Sequence, residues 1–427
     1  MFNTSQQDIC IAKNVVSLFH RSKSRKKKLM MKTIDITDTI RYVGTDDADI
    51  DLFESQYAVP RGISYNSYLI MDEKVAIMDT VDYRKHAAWW DNVTEALEGR
   101  TPDYLIVQHV EPDHAGCIGQ VVERYPEVQV VATARAAQML GQFFRYPKLL
   151  ERIMVVKEGD TLSLGSHTLQ FTMAPMVHWP EVMVTYDQKD KILFSADAFG
   201  TFGVLEGRIM DTENHEAWPD EARRYYYNIC GKYGQPVQAL LKKVAVLDVQ
   251  RICPLHGPVL TENLAYYIGL YDKWSRYEAE SEGVLIACAS IHGSTAKAAS
   301  ILASMMESKG VEVKLIDLCR TDVSVAVAEA FRMKHMVLAA SSYDGGLFTP
   351  MYEFLHRVQI KGYKGRRVGL IENGSWAPSA GRVMKEMLAE MKDIELVEPM
   401  VTLRSTLQPT DMPTMEALVA AMIEVHG

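Results

Sequence analysis

Short apolar runs separated by polar turns dominate the first part of the chain. Residues 65–71 and 75–79 are two such runs, and the polar residues 72–74 between them predict a β-hairpin. A helical pattern over about 86–97 precedes another apolar run at 104–107, which predicts a short buried strand. Strands interleaved with helices predict an α/β arrangement that includes antiparallel hairpins.

The pattern changes after a charged, aromatic-rich segment, residues 271–282, for which we predict a helix. Residues 284–289 are six apolar residues in succession, as is typical of a strand buried on both faces. Five strands alternating with helices predict a doubly wound parallel sheet of flavodoxin type. The remaining four strands are predicted at 311–316, 336–340, 368–371 and 395–401, with helices that include 296–308 and 412–425.

These patterns divide the chain of 427 residues into three parts. We predict a leader at 1–30, a first domain at 31–280 and a second domain at 283–427. The leader contains the basic run RSKSRKKK after a short apolar segment. A secretory signal has the opposite order, so we predict that the leader is disordered or precedes the true start at Met30-Met31.

Composition restricts the possible partners and compartments. The formal net charge is −9, so nothing favours nucleic acid or an anionic membrane as a partner. No apolar run reaches the roughly 18–20 residues of a spanning helix, which predicts a soluble protein. The six cysteines are scattered and form no C-x-x-C pair, so we expect neither a disulfide framework nor a thiolate metal site. Because such cysteine usage suits a reducing compartment, we expect a cytoplasmic location.

Four potential metal ligands follow the strand at 104–107: His109, Glu111, Asp113 and His114. Nearby prolines and a glycine argue against a regular helix, so we expect these side chains on a loop. A loop that leaves a rigid strand can hold ligands in fixed positions.

Three more candidate ligands, His178, Asp197 and His256, each follow an apolar strand. A lone histidine or aspartate in such a place is usually structural. The seven residues together are enough for two metal ions that share a bridge, for which Asp197 is the candidate. Four imidazoles and three carboxylates without a thiolate suit iron or manganese at least as well as zinc.

Polar, glycine-containing segments follow three strands of the second domain, where ligands of such sheets bind. The first begins a helix and offers hydroxyl and N–H groups to a phosphate, but it lacks the Lys of a Walker loop and G-x-G-x-x-G spacing. The other two carry aromatic side chains suited to a flat ring. We therefore predict an FMN site formed by Ser290, Ile291, His292, Gly293, Ser294, Thr295, Ser342, Tyr343, Asp344, Gly345, Gly346, Leu347, Asn373, Gly374, Ser375, Trp376 and Ala377.

The ordered ligand set resembles the metallo-β-lactamase superfamily, whose hydrolases carry H-x-H-x-D-H. Glu111 stands at the second histidine, and this pattern, with His178-Trp179-Pro180, resembles the flavodiiron proteins. The resemblance covers residues 31–427. It implies a metallo-β-lactamase-like αββα sandwich followed by a flavodoxin-like domain.

The same resemblance implies a non-haem di-iron site. One iron would be bound by His109, Glu111, His178 and Asp197. The other would be bound by Asp113, His114, Asp197 and His256, and in some family members the counterpart of His114 swings away from the metal.

The resemblance further implies an oxidoreductase that reduces O2 to water, NO to N2O, or both. Electrons would pass through FMN from a separate protein such as rubredoxin or a flavoprotein reductase. A head-to-tail homodimer, or a tetramer built from such dimers, would bring the flavin of one chain near the irons of the other. Trp179 is the candidate catalytic side chain lining the gas pocket, and a purely structural role in the core is an equal alternative. Trp376 is the candidate for stacking near the flavin and the partner's site, again with a structural role as an equal alternative.

Two alternatives remain open. One is a two-zinc hydrolase of the metallo-β-lactamase class with an appended flavodoxin-like domain, which Glu111 disfavours. The other is an electron-transfer module with a vestigial metal site, which the complete ligand set disfavours.

Overall fold

The structure, a computed structural model, describes residues 34–144, 147–213 and 218–423. The predicted leader at 1–30 lies outside the described residues. Strands are numbered β1 to β22 and α-helices α1 to α13. Within these ranges, no helix is both long and apolar enough to cross a membrane.

A seven-stranded mixed sheet consists, in spatial order, of β1 (Ile34–Asp35), β2 (Ile40–Tyr42), β7 (Tyr68–Met71), β8 (Val75–Met78), β9 (Tyr104–Ile106), β10 (Gln129–Thr133) and β11 (Ile153–Val156). The predicted hairpin is confirmed, because β7 and β8 pair antiparallel. Strands β8 to β11 run parallel, so their carboxyl ends lie at one edge of the sheet.

A second, five-stranded sheet is antiparallel except for its last pair. Both sheets contribute to one hydrophobic core, because strand residues such as Leu105 and Ile77 belong to the same buried cluster as Val184 and Leu193. The strands are β12 (Thr161–Ser163), β13 (Thr168–Met173), β14 (Met183–Asp187), β15 (Ile192–Phe194) and β16 (Arg251–Cys253). Two small antiparallel pairs join β3 (Thr45–Asp47) to β6 (Ile63–Tyr65), and β4 (Leu52–Phe53) to β5 (Tyr57–Ala58).

The third sheet has five parallel strands in the order 2-1-3-4-5 of flavodoxin-type folds, as predicted. A sixth strand of two residues pairs antiparallel with β19, so the segment at 341–348 is a hairpin and not a simple loop. Asp344 and Gly345 have positive φ, which matches a tight two-residue hairpin turn. The strands are β17 (Ser281–Ala289), β18 (Val313–Asp317), β19 (Met333–Tyr343), β20 (Gly346–Leu347), β21 (Arg366–Asn373) and β22 (Ile394–Leu403).

The helices follow the predicted alternation with one clear error. The prediction of a helix at 271–282 holds for residues 271–275 and was wrong beyond them, because the helix spans Leu264–Ser275 and β17 already begins at Ser281. The helices are α1 (His86–Ala96), α2 (Pro112–Ala115), α3 (Ile118–Arg124), α4 (Ala134–Phe143), α5 (Pro147–Leu150), α6 (Trp218–Ile229), α7 (Gly234–Val244), α8 (Leu264–Ser275), α9 (Ser294–Glu307), α10 (Val323–Arg332), α11 (Thr349–Ile360), α12 (Ala380–Ala389) and α13 (Met412–Ile423).

Candidate metal centre and flavin cavity

The seven predicted ligands lie close together beyond the ends of strands from the seven-stranded and the five-stranded sheets. His109 and Glu111 follow β9 in irregular chain, whereas Asp113 and His114 lie on the one-turn helix α2. The expectation of a loop without helix was wrong here. Proline at the first helical position is compatible with a helix, because its missing N–H would have no partner in the first turn.

Four of the ligands form a first cluster. His178 Nε2 lies 3.2 Å from Glu111 Oε2 and 3.0 Å from Asp197 Oδ2. His109 Nε2 lies 3.2 Å from the same Glu111 oxygen and 3.5 Å from the same Asp197 oxygen. Two imidazole nitrogens and two carboxylate oxygens therefore face one point.

The other three form a second cluster. His114 Nε2 and His256 Nε2 lie 3.1 Å apart, and Asp113 Oδ2 lies 3.4 Å and 3.3 Å from them. Asp197 Oδ1 lies 3.1 Å from His114 Nε2 and 3.8 Å from His256 Nε2. The two oxygens of Asp197 thus face different clusters, which is the arrangement of a bridging carboxylate.

Hydrogen bonds on the far side of two rings fix which nitrogen faces the clusters. His109 Nδ1 lies 2.7 Å from Glu181 Oε1, and His256 Nδ1 lies 2.7 Å from the carbonyl oxygen of Ser64. Each Nδ1–H donates to its oxygen, so each Nε2 keeps a lone pair for a metal. Glu181 was missed by sequence reasoning, although it directly follows His178-Trp179-Pro180.

The charges of the cluster stabilise protonated imidazoles in the metal-free protein. Burial alone would lower the pKa of His178, but hydrogen bonds to Asp197 and Glu111 raise it to about 9. Burial would raise the pKa of Asp197, but the neighbouring imidazoles, His114 first, hold it well below its usual value. Metal binding here would therefore displace protons from the imidazoles.

The donor set fits two cations. Both carboxylate oxygens of Asp113 are buried without a hydrogen-bond donor in the described part of the protein. Buried carboxylate oxygens without donors are costly unless a cation compensates them. His114 Nε2 and His256 Nε2, 3.1 Å apart, are close enough to bind one metal ion together or to share a proton. Imidazole and carboxylate ligands without thiolate suit iron.

A cavity of about 220 Å³ opens onto Glu111 and Asp113. Its other walls come from Ile50, residues 52–55, Tyr65, Asp82, Arg84 and Pro112. The Trp179 ring lies outside this lining and packs edge-on against the His109 ring, with centroids 5.3 Å apart. Contact with His109 indicates that Trp179 supports the orientation of a ligand.

A second cavity, of about 600 Å³, lies beyond the carboxyl ends of β17, β19 and β21. All three predicted segments line it, at the edge of the sheet where such folds bind nucleotides. Gly293, Gly346 and Leu347 do not line it, while Ser341, Ser379 and Ser405 do. The indole of Trp376 at its edge is 89% exposed and is free to cover a flat ligand.

Buried hydrogen bonds join the segments that line this cavity. Asn373 Nδ2 donates to Thr295 Oγ1 at 3.2 Å and to the carbonyl of Ser405 at 3.0 Å. Thr295 Oγ1 lies 3.0 Å from Ser341 Oγ. Hydroxyl and N–H groups beside the start of α9 fit a phosphate, and the exposed aromatic rings fit a planar group. The residues present therefore fit FMN.

Comparison with known proteins gives a consistent picture. Residues 63–257 match the family model described as ODP family beta lactamase. An uncharacterised protein of Methanocaldococcus jannaschii is 31% identical over 77% of this chain and 82% of its own length. The anaerobic nitric oxide reductase flavorubredoxin of Aliivibrio salmonicida is 29% identical over 81% of this chain and 70% of its own. Among solved structures, the rubredoxin oxygen:oxidoreductase of Desulfovibrio gigas aligns with a TM-score of 0.85 at 24% identity, over 92% of this chain and 98% of that one.

Proposed function

The chain belongs to the flavodiiron protein family, and on this basis we propose that it reduces O2 to water, NO to N2O, or both. It is an oxidoreductase with FMN and a non-haem di-iron site as its cofactors. The observation that carries the proposal is the carboxylate of Asp197, whose two oxygens face the two ligand clusters. The presence of Glu111 in the first cluster, where the related hydrolases have histidine, also supports it.

In this proposal His109, Glu111, His178 and Asp197 would hold one iron, and Asp113, His114, Asp197 and His256 would hold the other. When bound, FMN would supply electrons and the two irons would supply a redox-active site for reduction of the gas. The three carboxylates offset the charge of the irons. Glu181 and the Ser64 carbonyl keep two imidazoles in the orientation and tautomer that binding requires.

The cavity over Glu111 and Asp113 is the proposed gas site. Its volume of about 220 Å³ admits small molecules and a few waters. The ring of Phe53 gives part of its wall an apolar surface. Trp179, predicted as a catalytic residue, is proposed to act through its packing against His109.

For FMN, we propose that the Ser290–Thr295 segment binds the phosphate, and that the segments after β19 and β21 hold the ring.

The proposed functional domains are residues 31–280 and 283–427. A separate donor, rubredoxin or a flavoprotein reductase, supplies the electrons; the similarity to a flavorubredoxin and to a rubredoxin oxygen:oxidoreductase supports the first of these. We further propose a head-to-tail homodimer, or a tetramer of such dimers, in the cytoplasm. Light scattering of the holoprotein tests the assembly.

Gas consumption by the reduced protein tests the proposed reaction. Protein loaded with FMN and iron is reduced anaerobically, mixed separately with O2 and with NO, and compared with an Asp197→Asn variant loaded in the same way. Wild-type protein is expected to consume at least one gas, and the variant is expected to lose iron and activity. Consumption of neither gas by protein that contains both cofactors would refute the proposal. Zinc without iron, together with hydrolytic turnover, would establish the two-zinc hydrolase instead.

A further inference from the structure

The segment 52–58 covers the proposed gas site from one side. It comprises β4, a turn and β5, and we call it the roof segment. The Phe53 ring packs edge-on against the His256 ring, with centroids 5.4 Å apart. Glu54 and Ser55 line the cavity that opens onto Glu111 and Asp113. The position of the roof segment therefore sets the width of this cavity.

The backbone of the roof segment needs external support. Glu54 and Ser55 have φ of 47° and 56°, in the left-handed region that side chains other than glycine disfavour. Such conformations persist when surrounding contacts enforce them. The pairing of β4 with β5 involves two residues on each strand, which is too little to hold the turn alone.

Arg224 on α6 provides much of this support. Its Nη1 donates to the carbonyl oxygen of Ala58 at 2.9 Å and to Ser324 Oγ at 2.9 Å. Its Nε donates to Glu221 Oε2 at 2.9 Å, and its guanidinium lies 4.3 Å from the centre of the Phe202 ring. One buried guanidinium thus joins the roof segment to α10, a helix that packs on the flavodoxin-like sheet.

Further contacts reinforce this junction. The Ala58 N–H donates to Asp322 Oδ2 at 3.4 Å, while Asp322 Oδ1 caps α10 by accepting from the Ser324 N–H at 2.9 Å. The Tyr57 hydroxyl donates to the Asn228 carbonyl at 3.0 Å, and Asn228 Nδ2 donates to the Ser324 carbonyl at 3.1 Å. Both backbone polar groups of Ala58 are therefore held by side chains from outside the roof segment.

We propose that Arg224 is a positioning residue that, with Asp322 and Ser324, fixes the roof segment over the gas site. The start of α10 thereby controls gas access to the metal centre of its own chain. The inference deepens the proposed function and rests on it as far as gas turnover is concerned. The ordering of the roof segment by Arg224 does not depend on that function.

The test compares Arg224→Gln with Arg223→Gln in the holoprotein. Arg223 is the matched control because it is the neighbouring residue on α6 and is equally buried, 5% exposed against 6%. Its guanidinium pairs with Glu280 and Asp220 and does not contact the roof segment. Hydrogen–deuterium exchange of residues 52–58, iron and FMN content, and kcat and KM for the consumed gas are measured for each variant.

In Arg224→Gln we expect amide exchange in the roof segment to rise about tenfold or more, since a charge-assisted hydrogen bond is lost. KM for the gas is expected to rise about threefold or more with a smaller change in kcat and unchanged iron content. Arg224→Lys, which keeps the charge and one donor, is expected to bring the amide exchange rate and the KM part of the way back to the wild-type values. Arg223→Gln is expected to lower thermal stability without changing exchange at 52–58 or KM.

Unchanged exchange at 52–58 in Arg224→Gln, or an equal rise in Arg223→Gln, would overturn the inference. If Arg224→Gln does not fold, Ser324→Ala is measured in its place. We expect it to increase amide exchange at residues 52–58 by a smaller amount. No increase in this variant would overturn the inference. If the wild-type protein consumes neither gas, the proposed function fails, and the exchange measurements still decide whether Arg224 orders the roof segment.

Discussion

Replacement of Glu181 should weaken the first metal cluster without touching a ligand. Glu181 Oε1 accepts hydrogen bonds from His109 Nδ1 at 2.7 Å and from the Val110 N–H at 3.1 Å. Burial alone would raise the pKa of the Glu181 carboxyl, but its contact with His109 keeps that pKa below its usual value. The ionised carboxylate therefore orients the His109 ring and makes its Nε2 more basic.

The size of the effect follows from the contacts that each replacement removes. In Glu181→Gln the amide oxygen still accepts both hydrogen bonds but carries no charge. A hydrogen bond to a charged group contributes about 1.5–3 kcal/mol and a neutral one about 0.5–1.5, so we expect iron affinity to fall about five- to tenfold. Glu181→Ala also leaves the buried Val110 N–H without its acceptor, and affinity should fall about a hundredfold.

The assay is competition for iron with a chelator of known affinity, followed by metal analysis of the protein. Glu123→Gln, an exposed position on α3, is the control and is expected to bind iron as the wild type does. The order wild type, Glu181→Gln, Glu181→Ala in decreasing affinity supports the argument. Wild-type affinity in both variants would refute it, because the hydrogen bond to His109 would then contribute nothing to binding.

Three further results are expected. Glu111→Gln removes an anionic oxygen 3.2 Å from two imidazole nitrogens, so gas consumption should fall about a hundredfold or more, and wild-type rates in a stopped-flow assay would contradict this. Asn373→Ala breaks the hydrogen bonds between segments of the flavin cavity, so the Kd of FMN should rise about tenfold, as measured by fluorescence titration of the apoprotein; an unchanged Kd would exclude this role. Gly257→Ala places a Cβ 2.1 Å from Thr201 Cγ2 at φ +79° and should lower the free energy of unfolding, measured in urea, by about 2 kcal/mol or more. The control Gly99→Ala, at φ +83° with no atom near the new Cβ, should lower it by about 1 kcal/mol. Equal losses of stability in the two variants would contradict the steric argument.

The seven candidate ligands could be predicted because each follows an apolar strand, and strand ends can be identified from short stretches of sequence. Glu181 could not, because its role depends on a contact with His109, 72 positions earlier in the chain. The position directly after His178-Trp179-Pro180 was a signal, but nothing local distinguishes Glu181 from a solvated loop residue.

The flavin cavity shows a similar limit. The three predicted segments lie together because parallel strands direct their carboxyl ends to one edge of the sheet. Ser405 was missed because it follows the last strand, where no glycine-rich pattern marks a binding segment, although its carbonyl bonds to Asn373. The error at 271–282 has another cause. Aromatic and charged residues there continue the helical pattern, but the chain turns after Ser275 and its residues pack against other elements instead.

The two oxygens of Asp322 serve different parts of the protein, one capping the start of α10 beside the flavodoxin-like sheet and the other accepting from the backbone N–H of Ala58. Exchange of flavin modules between relatives by recombination would separate these partners. A hybrid protein whose replacement module lacks an acidic residue at the start of this helix would keep all its metal ligands, but its roof segment would be held less firmly. In such a hybrid, residues 52–58 and α10 should therefore come from the same parent protein. The module boundary is then set by the start of α10 and not by the linker between the two sheets.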